Sequence, residues 1–438
     1  MSDARYCYPP AWTTSSLERV SARVMSGGTP TSGSPRYYVE HGGLPFAKTE
    51  DLTRARTKFI EECELAISRA ALKETAAKSY PAGTILVSMY GTIGLTKIAA
   101  MEMAANQALC ALIPPFSCNP HYLYHHLDYA RPEWLKHSGQ TTQANINGAA
   151  VREHVLPLPS RIEQSSIAQI LDTLDTAIYE TEAIIAKLKA VKQGLLHDLL
   201  TRGIDANGKL RPLQSEAPHL YKPSPLGWIP IEWEYSRAEA EFSIDAGIAL
   251  GSHRVPRHRP RKYLRVANVQ RDRLKVDDVA ELEASESEAR IKALDVGDLL
   301  VVEGHASTAE IGRCAIADER VRGMLFQNHL FRLRCMRILP EFALLWLNSD
   351  YSQAYWQHEA ATSSGLNTIN RTKLRGLGVA VPTLDEQALI GSRVDVLAAR
   401  IESETGVFRK LEAAKSGLMD DLLTGRVRVT PLLDAATQ

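Results

Sequence analysis

The sequence predicts an α+β protein built twice over: a mixed α/β domain, a long helix, a second mixed α/β domain and a second long helix. Three observations carry that prediction. Pro159-Ser-Arg-Ile-Glu163-Gln164 and Pro382-Thr-Leu-Asp-Glu386-Gln387 open two stretches that stay similar, at a constant offset of 223 positions, down to Leu199-Leu-Thr201 and Leu422-Leu-Thr424. Both stretches carry an apolar stripe at spacings of three and four residues. The segments ahead of them hold short β-like runs punctuated by turn residues. A repeat of this period is too long for a solenoid unit and marks a duplicated half-molecule.

Taken in order, residues 1–157 form the first mixed domain. It opens near Trp12, carries the run Gly83-Thr-Ile-Leu-Val-Ser88 ahead of Gly91, places Gln107 in Asn-Gln-Ala-Leu, and closes on a polar stretch from Gly139 to Asn147. Residues 158–203 form the first helix. Its stripe runs through Ile167, Leu171, Leu174, Ile178, Ile185, Leu188, Leu195 and Leu199, interrupted by Thr181 and Lys192. This is a heptad-like a/d pattern. Pro159 stands just ahead of the helix, where proline is tolerated, and Gly203 just past it, where glycine commonly stops one. Residues 204–226, with Gly208, Pro212, Pro218, Pro223 and Pro225, read as a linker. Residues 227–380 form the second mixed domain, with Trp233, the run Gly297-Asp-Leu-Leu-Val-Val302 ahead of Gly304, Gln327, and a polar close from Ser363 to Asn370. Residues 381–426 form the second helix, striped by Ile390, Val394, Leu397, Ile401, Phe408, Leu411, Leu418 and Leu422. Residues 427–438 are a tail. At 1.5 Å per residue each helix is about 55 Å long. Two stripes of equal length in one chain favour mutual pairing over burial of each on its own domain.

The bulk composition is that of an ordinary soluble globular protein, with 45% hydrophobic and 23% charged residues. Lys+Arg equals Asp+Glu at 51 each, so any basic surface must be local. The six cysteines, Cys7, Cys63, Cys110, Cys118, Cys314 and Cys335, form no CxxC and no Cys/His cluster. That argues against a metal site and suits a reducing cytoplasm. No signal peptide and no membrane-spanning run is expected.

No catalytic constellation stands out. There is no phosphate-binding loop, no GxGxxG after a strand, no HExxH and no GxSxG. Asn119-Pro120-His121-Tyr122 resembles the motif with which adenine-N6 methyltransferases hold a flipped base, but His121 stands where that motif needs proline. Glu163 and Glu386 recur at matching places in the first helical turn, where a carboxylate complements the helix dipole and caps free N–H groups. The strongest polar feature is the run His253-Arg254-Val-Pro-Arg257-His258-Arg259-Pro-Arg261-Lys262-Tyr263-Leu-Arg265, followed by an acidic stretch from Asp277 to Glu288. Arginine forks bidentately onto phosphates and guanine edges, so Arg254, Arg257, Arg259, Arg261 and Lys262 are candidate nucleic-acid contacts. A weaker candidate in the first domain is Gly27-Gly28-Thr29-Pro30 leading to Arg36 and Tyr37, because a glycine turn lets a backbone approach a phosphate.

The order of domains and helices, with Leu-Pro-Ser-Arg-Ile-Glu163-Gln164 and Val-Pro-Thr-Leu-Asp-Glu386-Gln387 at the helix starts, resembles the specificity (S) subunit of Type I restriction–modification enzymes. Ser26-Gly27-Gly28-Thr29-Pro30, Tyr90-Gly91-Thr92-Ile-Gly94 and the helix ends Leu199-Leu-Thr-Arg and Leu422-Leu-Thr-Gly425 are further marks. The second domain departs from them, with Gly247-Ile-Ala-Leu-Gly251 and Gly304-His305 at the corresponding places. The resemblance implies a non-catalytic reader of double-stranded DNA, in which each mixed domain is a target recognition domain for half of a bipartite, asymmetric sequence. It adds Tyr90, Thr92 and His305 to the candidate contacts. It implies two helices paired as an antiparallel coiled coil that fixes the unread spacer, with Ile167, Leu171, Leu174, Ile178, Leu188, Leu195, Ile390, Val394, Leu397, Ile401, Leu411 and Leu418 in the interface. The implied partners are two methyltransferase subunits, which carry the S-adenosylmethionine, and motor-nuclease subunits. This chain would bind no cofactor and no metal, and would be cytoplasmic. The competing class is a two-headed scaffold that binds protein only; a third is an enzyme with an unrecognised site.

Overall fold

The computed structural model describes residues 8–137, 145–360 and 368–429. Cys7, most of the polar close of each domain and nearly all of the tail lie outside the described residues. The chain divides into two compact units, residues 1–185 with 404–438, and residues 186–403. Each long helix therefore contributes its first part to one unit and its last part to the other. No described helix is long and apolar enough to cross a membrane.

In the first unit a five-stranded sheet has the order Arg23–Ser26, Leu109–Ile113, Ile85–Ser88, Thr96–Ala99, Phe59–Ile60. The run Ile85-Leu86-Val87-Ser88 is buried throughout because both faces of the sheet are covered. Its period-two alternation sends Ile85 and Val87 to a core shared with Tyr122, Leu156, Ile167 and Leu171, and Leu86 to a second core with Leu52 and Met103. A second five-stranded sheet, ordered Tyr38–Val39, Leu65–Ile67, Leu44–Ala47, Met103–Ala105, Ser79–Tyr80, completes the domain. The domain's first and last strands, Thr13–Ser16 and Val155–Leu158, pair antiparallel with Thr13 opposite Leu158.

The second unit repeats the plan with smaller sheets. A four-stranded sheet runs Phe242–Ala246, Leu330–Cys335, Leu299–Val302, Cys314–Ile316. Leu299 and Val301 face one core and Leu300 and Val302 another, the same alternation as in the first unit. Glu234–Arg237 pairs antiparallel with Gly378–Val381, again joining the ends of the domain. Residues 204–226, read from the sequence as a linker, are packed. Ile204 bridges Leu210, Arg211 is buried, and Tyr221–Ser224 forms a hairpin with Gly227–Pro230.

The long helices span Arg161–Thr201 and Leu384–Leu423, 41 and 40 residues, or about 60 Å each at 1.5 Å per residue. Their starts are built alike. Ser160 Oγ accepts from Glu163 N and Thr383 Oγ1 from Glu386 N, both at 3.3 Å. Gln164 donates to Pro159 O at 2.9 Å and accepts from Asn119 N at 2.8 Å; Gln387 donates to Pro382 O and accepts from Leu339 N at the same two distances. Gly203 and Gly425 end the helices in the left-handed region, φ +64° and +75°.

Within each unit the two helix parts run antiparallel. In the first, Ile167 and Leu171 share a core with Met419, Leu422 and Leu423, and one turn further along Asp175 meets Lys415 at 2.6 Å. In the second, Ile390 and Val394 share a core with Leu199 and Leu200. Of the expected interface residues, Ile167, Leu171, Ile390 and Val394 are fully buried. Leu174, Ile178, Leu188, Leu195, Leu397, Ile401, Leu411 and Leu418 are half-buried, as on helices covered from one side. Thr181, expected to interrupt the stripe, is buried and returns its hydroxyl to Ala177 O at 2.7 Å.

Glu163 and Glu386 do more than cap a helix. Each is buried and accepts from an arginine that follows the end of the other long helix, Arg428 for Glu163 and Arg211 for Glu386. Glu386 also accepts from Ile204 N at 2.7 Å and from the Trp233 indole at 3.0 Å. These clamps tie the start of each helix to the exit of the other, and their partners lie too far apart in sequence for the helix-dipole reading to include them.

Candidate nucleic-acid interface

Three loops of the first unit meet at one edge of its sheet because of strand order alone. Leu109–Ile113 is antiparallel to both neighbours, so its start lies beside the ends of Arg23–Ser26 and Ile85–Ser88. That edge gathers Gly27-Gly28-Thr29, the turn Asn106-Gln107, and Tyr90-Gly91-Thr92. Gly27 and Gly28 are required by close approach. A Cβ on Gly27 would lie 2.0 Å from Asn106 O, and one on Gly28 2.2 Å from Ala76 O. Thr29 Oγ1 accepts from Gln107 N at 3.2 Å, tying the two loops together. Ser88 Oγ donates to Tyr90 O at 2.9 Å and accepts from Thr92 Oγ1 at 3.2 Å, which holds the Tyr90 turn while its ring stays 43% exposed. Arg36 and Tyr37 both reach Glu74, so this candidate cation is already paired.

The second unit builds the same edge from Phe242–Ala246, Leu330–Cys335 and Leu299–Val302. Gly247 takes the place of Gly27, and its Cβ would meet Gln327 O and Phe326 O at 2.3 Å. Ile248 N donates to Phe326 O as Gly28 N does to Ala105 O, so Ile248 stands at the position of Gly28 and the departure from Gly-Gly is absorbed without changing the chain path. Gly304 bridges Thr368 as Tyr90 bridges Asn145. His305 lies in this turn and accepts from Ser307 N at 3.0 Å. His329, on the neighbouring turn, pairs with Glu303 at 2.8 Å. The counterpart of Gly94 is Gly312, hidden from the sequence comparison by a longer loop. Gly94 N donates to Ser88 O and Gly312 N to Val302 O, both glycines have positive φ, and each lies against a tryptophan, Trp134 or Trp356.

The basic run is divided by its acidic neighbours. Arg254 forms a bidentate pair with Glu288 at 2.6 and 3.0 Å, which pulls the Glu288 carboxyl down to about 2. Arg261 pairs with Glu286 at 2.6 Å and Arg265 with Asp278 at 2.7 Å. Glu283 accepts from the backbone N–H groups of Arg257, His258 and Arg259, which lowers its carboxyl and fixes the loop. The side chains of Arg257, Arg259 and Lys262 remain exposed, with no partner among the described residues. Arg257 and Arg259 precede the strand Pro260–Leu264, which meets Leu325–Phe326 only at Tyr263 and Leu264. Arg257 and Arg259 thus lie at the far end of that strand from the Gln327 turn, with Lys262 midway along it.

Other sequence candidates have structural employment. Asn119 caps the helix Pro120–His137, accepting from His121 N at 2.9 Å and Tyr122 N at 3.1 Å, while Tyr122 is buried and donates to Pro157 O. His125, Asp172 and Asp175 lie close enough to hold a cation. Ammonium groups already fill that role, Lys58 at 2.6 Å from Asp172 and Lys415 at 2.6 Å from Asp175. Burial opposes ionisation of Asp172, but hydrogen bonds from His125, Lys58 and His121 prevail and hold its carboxyl well below the usual range. Cys110 and Cys118 are core residues whose thiols burial pushes up to about 12 and about 11.

Residues 12–190 match the family described as Type I restriction modification DNA specificity domain. The chain is 23% identical over 405 residues to the Type I restriction enzyme StySPI specificity subunit of Salmonella potsdam, covering 89% of this chain and 83% of that one. Among solved structures, it superimposes with a TM-score of 0.59 and 17% identity on a chain of a type I R-M system solved for its complex assembly and conformational transition, covering 96% of this chain and 100% of that one. It also superimposes with a TM-score of 0.54 and 14% identity on the Type-I restriction-modification system S subunit from M. genitalium, covering 96% and 97%.

Proposed function

The chain belongs to the specificity subunits of type I restriction–modification systems, and from that premise we propose that each of its two mixed domains reads one half of a bipartite, asymmetric DNA target. It is the non-catalytic subunit that gives such a complex its DNA sequence specificity, and it works with modification and restriction subunits. The observation that carries the two-reader proposal is the repeated sheet edge: Gly27, Gln107 and Tyr90 in one unit, Gly247, Gln327 and Gly304 in the other. Loops on a rigid sheet edge hold side chains for base readout, while glycine permits close backbone approach to a phosphate. Arg257, Arg259 and Lys262 add a local cationic patch in a chain of zero net charge.

Two methyltransferase subunits supply the chemistry, one per half, with S-adenosylmethionine bound on them, and motor-nuclease subunits join for cleavage. The fit argues for the donor being on the partner. The residues of this chain that resemble a methyltransferase motif, Asn119 and Tyr122, are committed to a helix cap and to Pro157 O. Methylome sequencing of cells carrying the chain with its methyltransferase subunit should reveal a split motif, and Tyr90→Ala should relax one half of it only. Methyl transfer by the isolated chain, or an uninterrupted motif, would overturn the proposal.

A further inference from the structure

The two units differ at the joint between the long helices and the domain helix, and the difference has a chemical sense. In the first unit the domain helix Pro120–His137 is unbroken. Asp128 lies 3.6 Å from Lys415, Asp175 lies 2.6 Å from the same ammonium, and Tyr129 donates to Asp420 at 2.7 Å. The joint is closed by this chain's own acids and aromatic ring.

In the second unit the corresponding sequence carries two extra residues. Leu127-Asp128-Tyr129 becomes Leu347-Asn348-Ser349-Asp350-Tyr351, and the helix breaks into Pro340–Leu347 and Asp350–Ala360. On the long helices Lys192 stands where Lys415 does, but Ala398 replaces Asp175 and His197 replaces Asp420. The result is a cavity of about 760 Å³ bordered by Lys192, Leu196, Trp228, Trp346, Asp350 and Tyr351. Lys192 is half-buried there and has neither hydrogen bond nor ion pair among the described residues. Trp228, in the second strand of the hairpin opposite Pro223, is 52% exposed. The site is concave, largely apolar, and holds a cation that lacks the carboxylate Asp175 gives Lys415, while Asp350, the counterpart of Asp128, borders the cavity without pairing with Lys192, so it calls for an apolar group carrying an acid.

We propose that this cavity seats an acidic, apolar-anchored segment of a methyltransferase subunit, so that one of the two copies is held by an attachment the first unit does not offer. The inference rests on the functional reading above. It makes the two methyltransferase subunits unequal in how they are held.

The test is a titration of the purified full chain with its purified methyltransferase subunit, followed by native mass spectrometry, for the wild type, Ala398→Asp and Trp228→Ala. Ala398→Asp supplies within the chain the carboxylate that Asp175 supplies in the first unit. Trp228→Ala alters a half-exposed side chain on the cavity wall and introduces no charge, so it reports even if the first variant folds poorly. Both variants should bind one methyltransferase subunit as before and the second about tenfold or more weakly, the usual loss when a buried anchor is removed. Wild-type affinity for both copies, or an equal loss at both, would overturn the inference. A wild-type chain that binds no methyltransferase subunit would refute the functional reading, and this inference with it.

Discussion

Replacing Glu386 by Ala should be among the most damaging single changes in the second unit, and clearly worse than Glu163→Ala in the first. Glu386 is 8% exposed and the Arg211 side chain 6% exposed; the pair is joined at 2.6 and 3.2 Å. Removing one partner of a buried ion pair costs about 3–5 kcal/mol. The change also orphans the Ile204 amide and the Trp233 indole, each worth about 1–3 kcal/mol unless water enters. Arg211 retains the exposed Glu232, which offsets part of the loss, so about 5 kcal/mol is expected. Arg428, by contrast, is about one-third exposed and can turn into solvent when Glu163 is gone, and no indole depends on that carboxylate, so about 2 kcal/mol is expected. At roughly 2–4 °C per kcal/mol for units of this size, the two variants should lower their melting transitions by about 10–20 °C and about 4–8 °C. Calorimetry gives the totals, and hydrogen exchange assigns each loss to its unit, with the Ile204 amide losing protection in Glu386→Ala only. Equal penalties in the two variants, or a loss under about 1 kcal/mol for Glu386→Ala, would refute the clamp as the device that fixes the helix starts.

Three further outcomes rest on the geometry. Arg257→Ala with Arg259→Ala should weaken DNA binding and lower the salt slope by roughly 0.9 for each phosphate left without its cation; Arg254→Ala, whose guanidinium is held by Glu288, should change the slope far less, and identical slopes for wild type and both variants would make the run a solvated face. Gly312→Ala forces a side chain into the left-handed region at φ +69° and places its Cβ 2.2 Å from Trp356, for a loss of about 3 kcal/mol in a denaturant titration, whereas Gly323→Ala, at φ +76° in open space, should lose only about 1 kcal/mol. Burial pushes the His154 ring down to about 4 and, with the neighbouring His154, holds that of His126 well below its ordinary value, so between pH 6.5 and 4 the unfolded chain binds more protons than the folded one. Stability of the first unit should therefore be full above pH 6.5 and fall on acidification by up to about 3 kcal/mol for His154; urea titrations at pH 7.5 and 5 that show no drop would contradict this.

How much of this was legible in the sequence depends on the distance over which each feature acts. The long helices were legible because a stripe such as Ile167, Leu171, Leu174 and Ile178 is a local signal, and Pro159 and Gly203 are local punctuation. The buried runs Ile85–Ser88 and Leu299–Val302 were legible as strands for the same reason, although burial on both faces left no alternation to show which way each residue points. The clamps were not legible, since Glu163 meets an arginine 265 positions away and Glu386 one 175 positions away. Pairing within the basic run was half legible: the acidic stretch stood in plain view, but only the hairpin between Pro260–Leu264 and Ala280–Glu283 decides that Arg254 and Arg261 are neutralised while Arg257 and Arg259 are free. The glycine equivalent to Gly94 is masked in the sequence by the longer loop that separates Gly312 from Gly304, and the repeat of Ile93-Gly94 as Ile311-Gly312 is its one local signal.

The pairing of each domain's first strand with its last bears on how such a protein can change. Thr13–Ser16 lies against Val155–Leu158, and Glu234–Arg237 against Gly378–Val381, so the chain enters and leaves each domain through one narrow stalk. Each stalk is four residue pairs of backbone hydrogen bonding, which depend little on side-chain identity, whereas the seat of the domain on the long helices is made by side chains such as Lys58, Tyr122 and Tyr129. A genetic crossover falling within both strands of a stalk would therefore exchange one reader as an intact cassette, and the recipient would acquire a new half-target without re-evolving either helix as long as the incoming reader kept its few helix-facing side chains, such as those at Asn119 and Lys58.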